Sequence, residues 1–293
     1  ENRPFGATLS LVFNPDTSKQ KKDEKKKKEE QIAKSTTDTS AAAPSDSVKF
    51  EILNAQGNVI RTFKAKVKKG INRVQWDLDR KGERWPSTPK PEPGAPEEGG
   101  VPVLPGTYKA RISYATFADS ADVAVKFDPR LNFSQEDLIA KDAMRQELLN
   151  RIRIATQAAD RLRDAKKTIE QIAGVIKDRE DTTAKDLKKK GVALEDSIRT
   201  IDELINAKEV QGIRRDPSLL TSRLGAVSGY LYSSWEKPGE TERLALEQAT
   251  QSLQRVVDRI NQFFTTQWPA YETVVANAKI SFFEKYQPLK VDK

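Results

Sequence analysis

Apolar and polar residues alternate with period two through the first part of the chain and recur with 3-4 spacing through the rest. Period two places every second side chain on one face of a strand, whereas 3-4 spacing lines one stripe of a helix. Ala7, Leu9, Leu11 and Phe13 share one face of a first strand, and Val48, Phe50 and Ile52 one face of a second. Asn54-Ala55-Gln56-Gly57 supplies the turn into a strand at 58–66, with Gly57 free to take positive φ. Lys68-Lys69-Gly70 turns the chain again, and a strand over 71–78 sets Val74, Trp76 and Leu78 on one side. Tyr108, Ala110, Ile112 and Tyr114 alternate in the next strand, and Val123, Val125 and Phe127 in the last. About six short strands of this kind predict an antiparallel β-sandwich with one face of each sheet wet.

Two stretches interrupt the alternation. Residues 14–47, rich in Lys, Ser, Thr and Ala, are expected to be a long disordered insertion. Residues 83–106 carry seven prolines, Pro86 to Pro105, and several glycines, and are expected to form an irregular surface loop. Lys64, Lys66 and Lys68 share a pleat face, where they read as an outer surface protected against edge-to-edge aggregation.

The period changes after Asp128-Pro129. Ser134 is placed to cap a helix, with Glu136 and Asp137 in its first turn, where the helix dipole favours acid. Leu148, Ile152, Ala155, Ala159, Leu162, Lys166, Ile169, Ala173 and Ile176 then follow 4-3 spacing, with Lys166 as the single polar interruption. After a break near Asp181-Thr182 the spacing resumes with Leu187, Gly191, Leu194, Ile198, Ile201 and Ile205. Asp216-Pro217 reads as a helix start with Asp as cap and Pro in the first position, followed by Leu220, Leu224, Val227 and Leu231. A fourth segment carries Leu246, Ala249, Leu253, Val256, Ile260 and Phe263, until Trp268-Pro269 breaks or kinks it. Heptad seams on four consecutive helices predict an antiparallel α-helical bundle with short connections. The tail from Ile280 to Leu289 has enough aromatics, Phe282, Phe283 and Tyr286, to pack back onto a core. The expected organisation is therefore a β domain over 1–128 followed by a helical bundle over 129–293.

Composition narrows the chemistry. The chain has no histidine and no cysteine, which removes the commonest acid, base, nucleophile and metal ligands, a disulfide framework and a thiolate metal site. No apolar run approaches the ~20 residues of a membrane span. The net charge of +8 invites a nucleic-acid or anionic-surface reading. Its distribution argues otherwise, because much of the excess sits in the mixed-charge tract 19–30, which reads as a solvated loop. The chain begins at Glu1 with a strand close behind, as expected of a piece of a longer exported protein whose signal peptide lies upstream.

The strand motifs resemble a known module. Gly57 to Arg61, Gly70 to Asp77 and Pro105 to Tyr108 are similar to the turn–strand signatures of the immunoglobulin-like module of flagellar-hook capping proteins and other secreted bacterial proteins. The succession of sandwich and bundle resembles the C-terminal region of secreted bacterial proteins built on a sortilin-like β-propeller with BNR-type repeats. Asn2-Arg3-Pro4-Phe5-Gly6-Ala7 stands where that family's entry motif stands, and Asp128-Pro129-Arg130 matches its exit into helices. The 14–47 insertion departs from the short hairpin that family would have there. The resemblance implies an Ig-like antiparallel β-sandwich followed by an antiparallel helical bundle, exported to the periplasm, outer-membrane surface or extracellular space. Its partners would be the upstream propeller of the same protein and a further protein.

No motif supports catalysis. Asp77 to Gly82 opens like a calcium loop but places Lys81 at the fifth position and Thr88 at the twelfth, where Asp or Asn and a bidentate Glu belong. Carboxylate pairs such as Glu136/Asp137 and Glu180/Asp181 stand at helix starts and turns, where capping accounts for them. No phosphate-binding Gly-rich loop and no nucleophile elbow occur. The expectation is a non-enzyme without cofactor, metal or nucleic-acid ligand, serving as an accessory and interaction region. Trp76 is assigned to the core. Trp85 in the Pro-rich loop and the cluster Tyr230, Tyr232 and Trp235 are the candidate partner contacts, with the seam residues Leu162 and Ile198 as the face offered to a partner helix. The alternatives are a binding module or subunit of a cell-envelope or secretion assembly, and a carbohydrate-binding accessory domain. A polyanion-binding role for the Lys tract is the weakest.

Overall fold

A computed structural model describes residues 5–14, 47–128, 130, 134–207, 216–234 and 236–278. Most of the Lys-rich insertion, Asn2 to Pro4, Pro129, Trp235 and the aromatic tail lie outside the described residues. The chain consists of antiparallel β-sheets followed by helices, and it divides into two units. One comprises Glu1–Gly82 and Pro93–Asn132, the other Glu83–Glu92 and Phe133–Lys293. Residues 83–92, expected in the loop of the β domain, therefore belong to the helical unit.

The β unit has eight strands among the described residues: β1 Ala7–Phe13, β2 Ser47–Leu53, β3 Val59–Lys66, β4 Gly70–Trp76, β5 Asp79–Lys81, β6 Gly99–Pro102, β7 Gly106–Tyr114 and β8 Phe117–Val125. They form a four-stranded antiparallel sheet in the order β3-β2-β7-β8 and two-stranded sheets β1-β4 and β5-β6. Val48, Phe50 and Ile52 are buried as their alternation predicts, and Phe50 stacks on its cross-strand partner Phe63 with centroids 5.1 Å apart. Leu9, Leu11 and Phe13 of β1 and Val74 of β4 pack on this cluster, so the two larger sheets share a core. Trp76 is 1% exposed, donates its indole N–H to the Asp79 carbonyl at 2.9 Å and meets Tyr108 edge-on. Gly57 takes φ +80°, the conformation its turn requires.

Two expectations about this unit are corrected. The strand at 71–78 ends at Trp76, because Leu78 turns to φ +55° and its carbonyl accepts from Val103 N–H. The stretch 83–106 is not irregular throughout, since Gly99–Pro102 pairs with Asp79–Lys81. Glycine makes that pairing possible: a Cβ on Gly82 would lie 2.4 Å from the Gly99 carbonyl oxygen. The Asp128 carboxylate, at the end of the β unit, is held down to about 2 by the Arg130 side chain and then by the Arg130 backbone N–H.

The helical unit contains α1 Gln135–Val175, α2 Thr182–Ile205, α3 Leu220–Ser233, α4 Glu240–Gln262, a π-helical turn Phe263–Gln267 and α5 Trp268–Asn277. Ser134 caps α1 through its hydroxyl, which accepts from Asp137 N–H at 3.0 Å, and Asp181 caps α2 by accepting from Ala184 N–H. The predicted stripes of α2 and α4 are buried at every position named for them. On α1 the stripe slips after Leu162. Ala165, Ile169, Ile172 and Ile176 carry it, while Lys166 and Ala173 are exposed, so Lys166 does not interrupt the seam. Asp216 does not cap α3. Its carboxylate accepts from the backbone and hydroxyl of Ser218, shaping a turn, and the helix begins at Leu220. The regular α-helix ends at Gln262, ahead of Trp268-Pro269: the π turn Phe263–Gln267 follows it, and α5 starts at Trp268 with Pro269 in its first turn, where a missing N–H is tolerated. No described helix is long and apolar enough to cross a membrane.

Candidate interaction surface

The buried stripe of α3, Leu220, Leu224, Val227 and Leu231, fixes which way its other side chains face. Tyr230 and Tyr232 fall on its two flanks, either side of Leu231, 44% and 55% exposed. Two cations on α1, one turn apart, hold the end of α3. Lys141 is almost fully buried and donates to the Ser234 carbonyl, and Arg145 donates to the Leu231 carbonyl at 3.3 Å. These are the carbonyls a helix C-terminus leaves without intrahelical partners, and cations are favoured there. Burial, and then repulsion from Arg145, lowers the Lys141 pKa, partly offset by Glu242 and Glu236. The Arg145 guanidinium also lies 4.8 Å above the Tyr232 ring, in cation–π range.

An open groove of about 950 Å³ runs between α3 and α4. Its floor on α3 is made of small residues, Ser222, Gly225 and Ala226, and a Cβ built on Gly225 would meet nothing within 4 Å. Tyr230 and Leu244, the latter 53% exposed, form its apolar walls. Arg223 crosses one end, donating to Gln248 at 3.1 Å. No family model, curated protein or solved structure matches this chain.

The remaining aromatic candidates fall elsewhere. Trp85 is not displayed: it packs against the helical core. Residues 83–92 form a strap along α1. Arg84 pairs with Asp160, the Thr156 hydroxyl donates to the Arg84 carbonyl at 2.5 Å, Arg163 donates to the Pro86 carbonyl, and Lys90 pairs with Asp164 at 2.6 Å. Trp235 lies outside the described residues. Leu162 and Ile198 are 2% and 5% exposed, so the apolar seam is consumed inside the unit and is not offered to a partner. Trp76 likewise faces the core, which leaves the sheets without the aromatic a sugar platform would need from it. The α3–α4 groove was missed in the sequence, although Ser222, Gly225, Ala226 and Gly229 spell a small-residue face opposite the leucine stripe.

Proposed function

We propose that this chain is a non-catalytic recognition region whose helical unit binds a helix of a partner protein in the groove between α3 and α4. The observation that carries this reading is the groove itself, with a floor of small residues between the exposed side chains of Tyr230 and Leu244. A helix laid there would approach the α3 backbone closely over Gly225 and Ala226. Its apolar residues at i, i+3, i+4 and i+7 would pack between Tyr230 and Leu244. Tyr232, braced by Arg145, would extend the contact at the rim.

The wider reading is that of the resemblance: an Ig-like sandwich and an antiparallel helical bundle forming the C-terminal accessory region of an exported sortilin-like propeller protein. Three features support it. The unit order is β then α, β1-β4 and the four-stranded sheet share a core, and the Tyr108 hydroxyl donates to the Leu104 carbonyl, as a tyrosine corner of such sandwiches does. A subunit role in a cell-envelope or secretion assembly would use the same groove. The sugar-binding alternative is weakened by the burial of Trp76.

The test is affinity capture from the native source with the wild-type chain, a Leu244→Asp variant and a Gly225→Arg variant, each first shown to keep its helical circular dichroism. Both substitutions are at exposed positions, and Gly225→Arg also raises helix propensity. A partner bound by the wild type and lost by both variants supports the proposal. Equal capture by all three would refute it.

A further inference from the structure

The β unit carries a second opening that the helical reading does not use. Strand β1 pairs only with β4, and β8 pairs only with β7, so each has one free edge among the described residues. Between them runs a continuous groove. One part, about 650 Å³, lies between residues 7–12 of β1 and 119–124 of β8 over Phe50, Ala110 and Ile112. The other, about 390 Å³, continues past Phe13 toward Tyr114 and Phe117, and the two share Leu11, Val12, Ile112 and Asp119.

The register of β7 with β8 places Phe117, Asp119, Ala121 and Val123 on the same face as Ile112 and the buried Ala110. That face belongs to the core under β2, where Phe50 and Ile52 are fully buried, but it is uncovered at β8, where Phe117 is 70% exposed. Among the described residues the two strands β1 and β4 thus leave the β8 side of the four-stranded sheet uncovered. Two of the edge strands of this unit, β3 and β1, differ in how they are guarded. Edge strand β3 carries Arg61, Lys64 and Lys66, the charges that discourage strand addition. Edge strand β1, Ala-Thr-Leu-Ser-Leu-Val-Phe, has no charge, proline or glycine, and among the described residues no strand pairs with its outer side. Asp119 is the one acid on the exposed inner face of β8. Its Oδ1 accepts from the adjacent Ser120 N–H at 2.7 Å, and among the described residues no cation pairs with it.

We propose that this groove binds an extended peptide of another protein, which adds to β1 as a third strand of the small sheet and covers the β7–β8 face. Main-chain hydrogen bonds to β1 supply the affinity. The period-two floor selects apolar side chains at alternate positions, and Asp119 selects a lysine or arginine at one inward position. Seven residues of β1 match about 23 Å of extended partner. This binding is independent of the α3–α4 groove.

The test uses the full chain and two blocked nonapeptides, Thr-Val-Thr-Val-Thr-Lys-Thr-Val-Thr and the same sequence with Glu for Lys. Nitrogen-15 NMR shift titration reads affinity and site together. The expected result is saturable binding of the Lys peptide with shifts confined to residues 7–13 and 117–123, and affinity about fivefold above the Glu peptide. Asp119→Lys, an exposed change, inverts the preference, and Ala121→Trp, which fills the floor, abolishes binding of both while circular dichroism is kept. Absence of saturable binding, shifts elsewhere, or binding that survives Ala121→Trp would overturn the proposal. So would slow amide exchange at residues 8–12 in the peptide-free chain. With dimers in sedimentation, that result assigns the edge to a second copy, and with monomers to the chain itself.

Discussion

Along α2 the residues Leu187, Leu194, Ile198, Ile201 and Ile205 are all buried, and the matching stripe of α4 is buried as completely. Along β8 the inner-face residues Phe117, Asp119 and Ala121 stand open. Both units were built from apolar residues at regular spacing, yet one uses its spacing up internally and the other leaves part of it unused. Helices satisfy their own backbone, so a helical unit is finished once its stripes meet. A sheet is finished only when its last edge is paired or guarded and both sheets match in width. The same hydrophobic pattern therefore reports core in the helices and, on the sheets, core or binding face depending on how many strands lie opposite.

Truncating a side chain from either core should produce the largest effects. Phe50→Ala in the β unit removes a fully buried ring stacked on Phe63 and is expected to cost about 3–5 kcal/mol in chemical denaturation. Leu224→Ala, at the centre of the helical core, is expected to cost about 2–5 kcal/mol. An equivalent truncation at Phe117, on the uncovered face, should change stability by less than about 0.5 kcal/mol. A loss at Phe117 comparable to that at Phe50 would mean the β8 face is covered, and the contrast between the units would fail.

Trp85→Ala comes next, at about 1–3 kcal/mol, because the ring is partly buried against the helical core. Hydrogen exchange should locate the loss on α1 around Thr156 to Asp164. A loss confined to the β strands would return residues 83–92 to the β unit. Smaller again is Ser134→Ala, about 1 kcal/mol from the first turn of α1.

The pH dependence is the finest discriminator. Asp128 is held below its ordinary 3.8 by Arg130, and Asp181 is lowered by Arg179 and by the Ala184 N–H it caps. Their folded values lie below the unfolded ones, so their contribution is present above about pH 4 and lost as pH falls, for Asp128 toward about 2. Lys141 behaves oppositely in range. Its folded pKa lies below 10.5, so the unfolded chain binds the extra proton in between, and stability rises with pH there. Lys141→Met should remove that alkaline rise, read as the unfolding midpoint as pH is raised to 10.5, and leave the acid limb unchanged.

The elements that were legible in the sequence owe their clarity to local rules. Caps at Ser134 and Asp181 and the stripes of α2 and α4 need only neighbours within a turn or two. The slip on α1 after Leu162 was not legible, because 3-4 and 4-3 order both keep one stripe and only the position of the facing helices chooses between Ala165 and Lys166. The β5–β6 pairing was hidden by Gly99 and Gly100, which weaken the strand pattern while permitting the close approach. Asp216-Pro217 carried a valid start signal, but the turn it makes with Ser218 displaced the helix by three residues. Of the candidate contacts, the exposure of Tyr230 and Tyr232 followed from the leucine spacing of α3. The burial of Trp85 did not, since its partners lie far along the chain.

That separation has a consequence in time. Arg84 leaves the ribosome 72 residues before Thr156, to which its carbonyl will bond. At about 5–20 residues per second the strap waits roughly 4–14 s for the helix it lies against. Through that interval Trp85 travels uncovered beside a string of prolines that keep it extended, and a chaperone or an early folding partner has that long to find it.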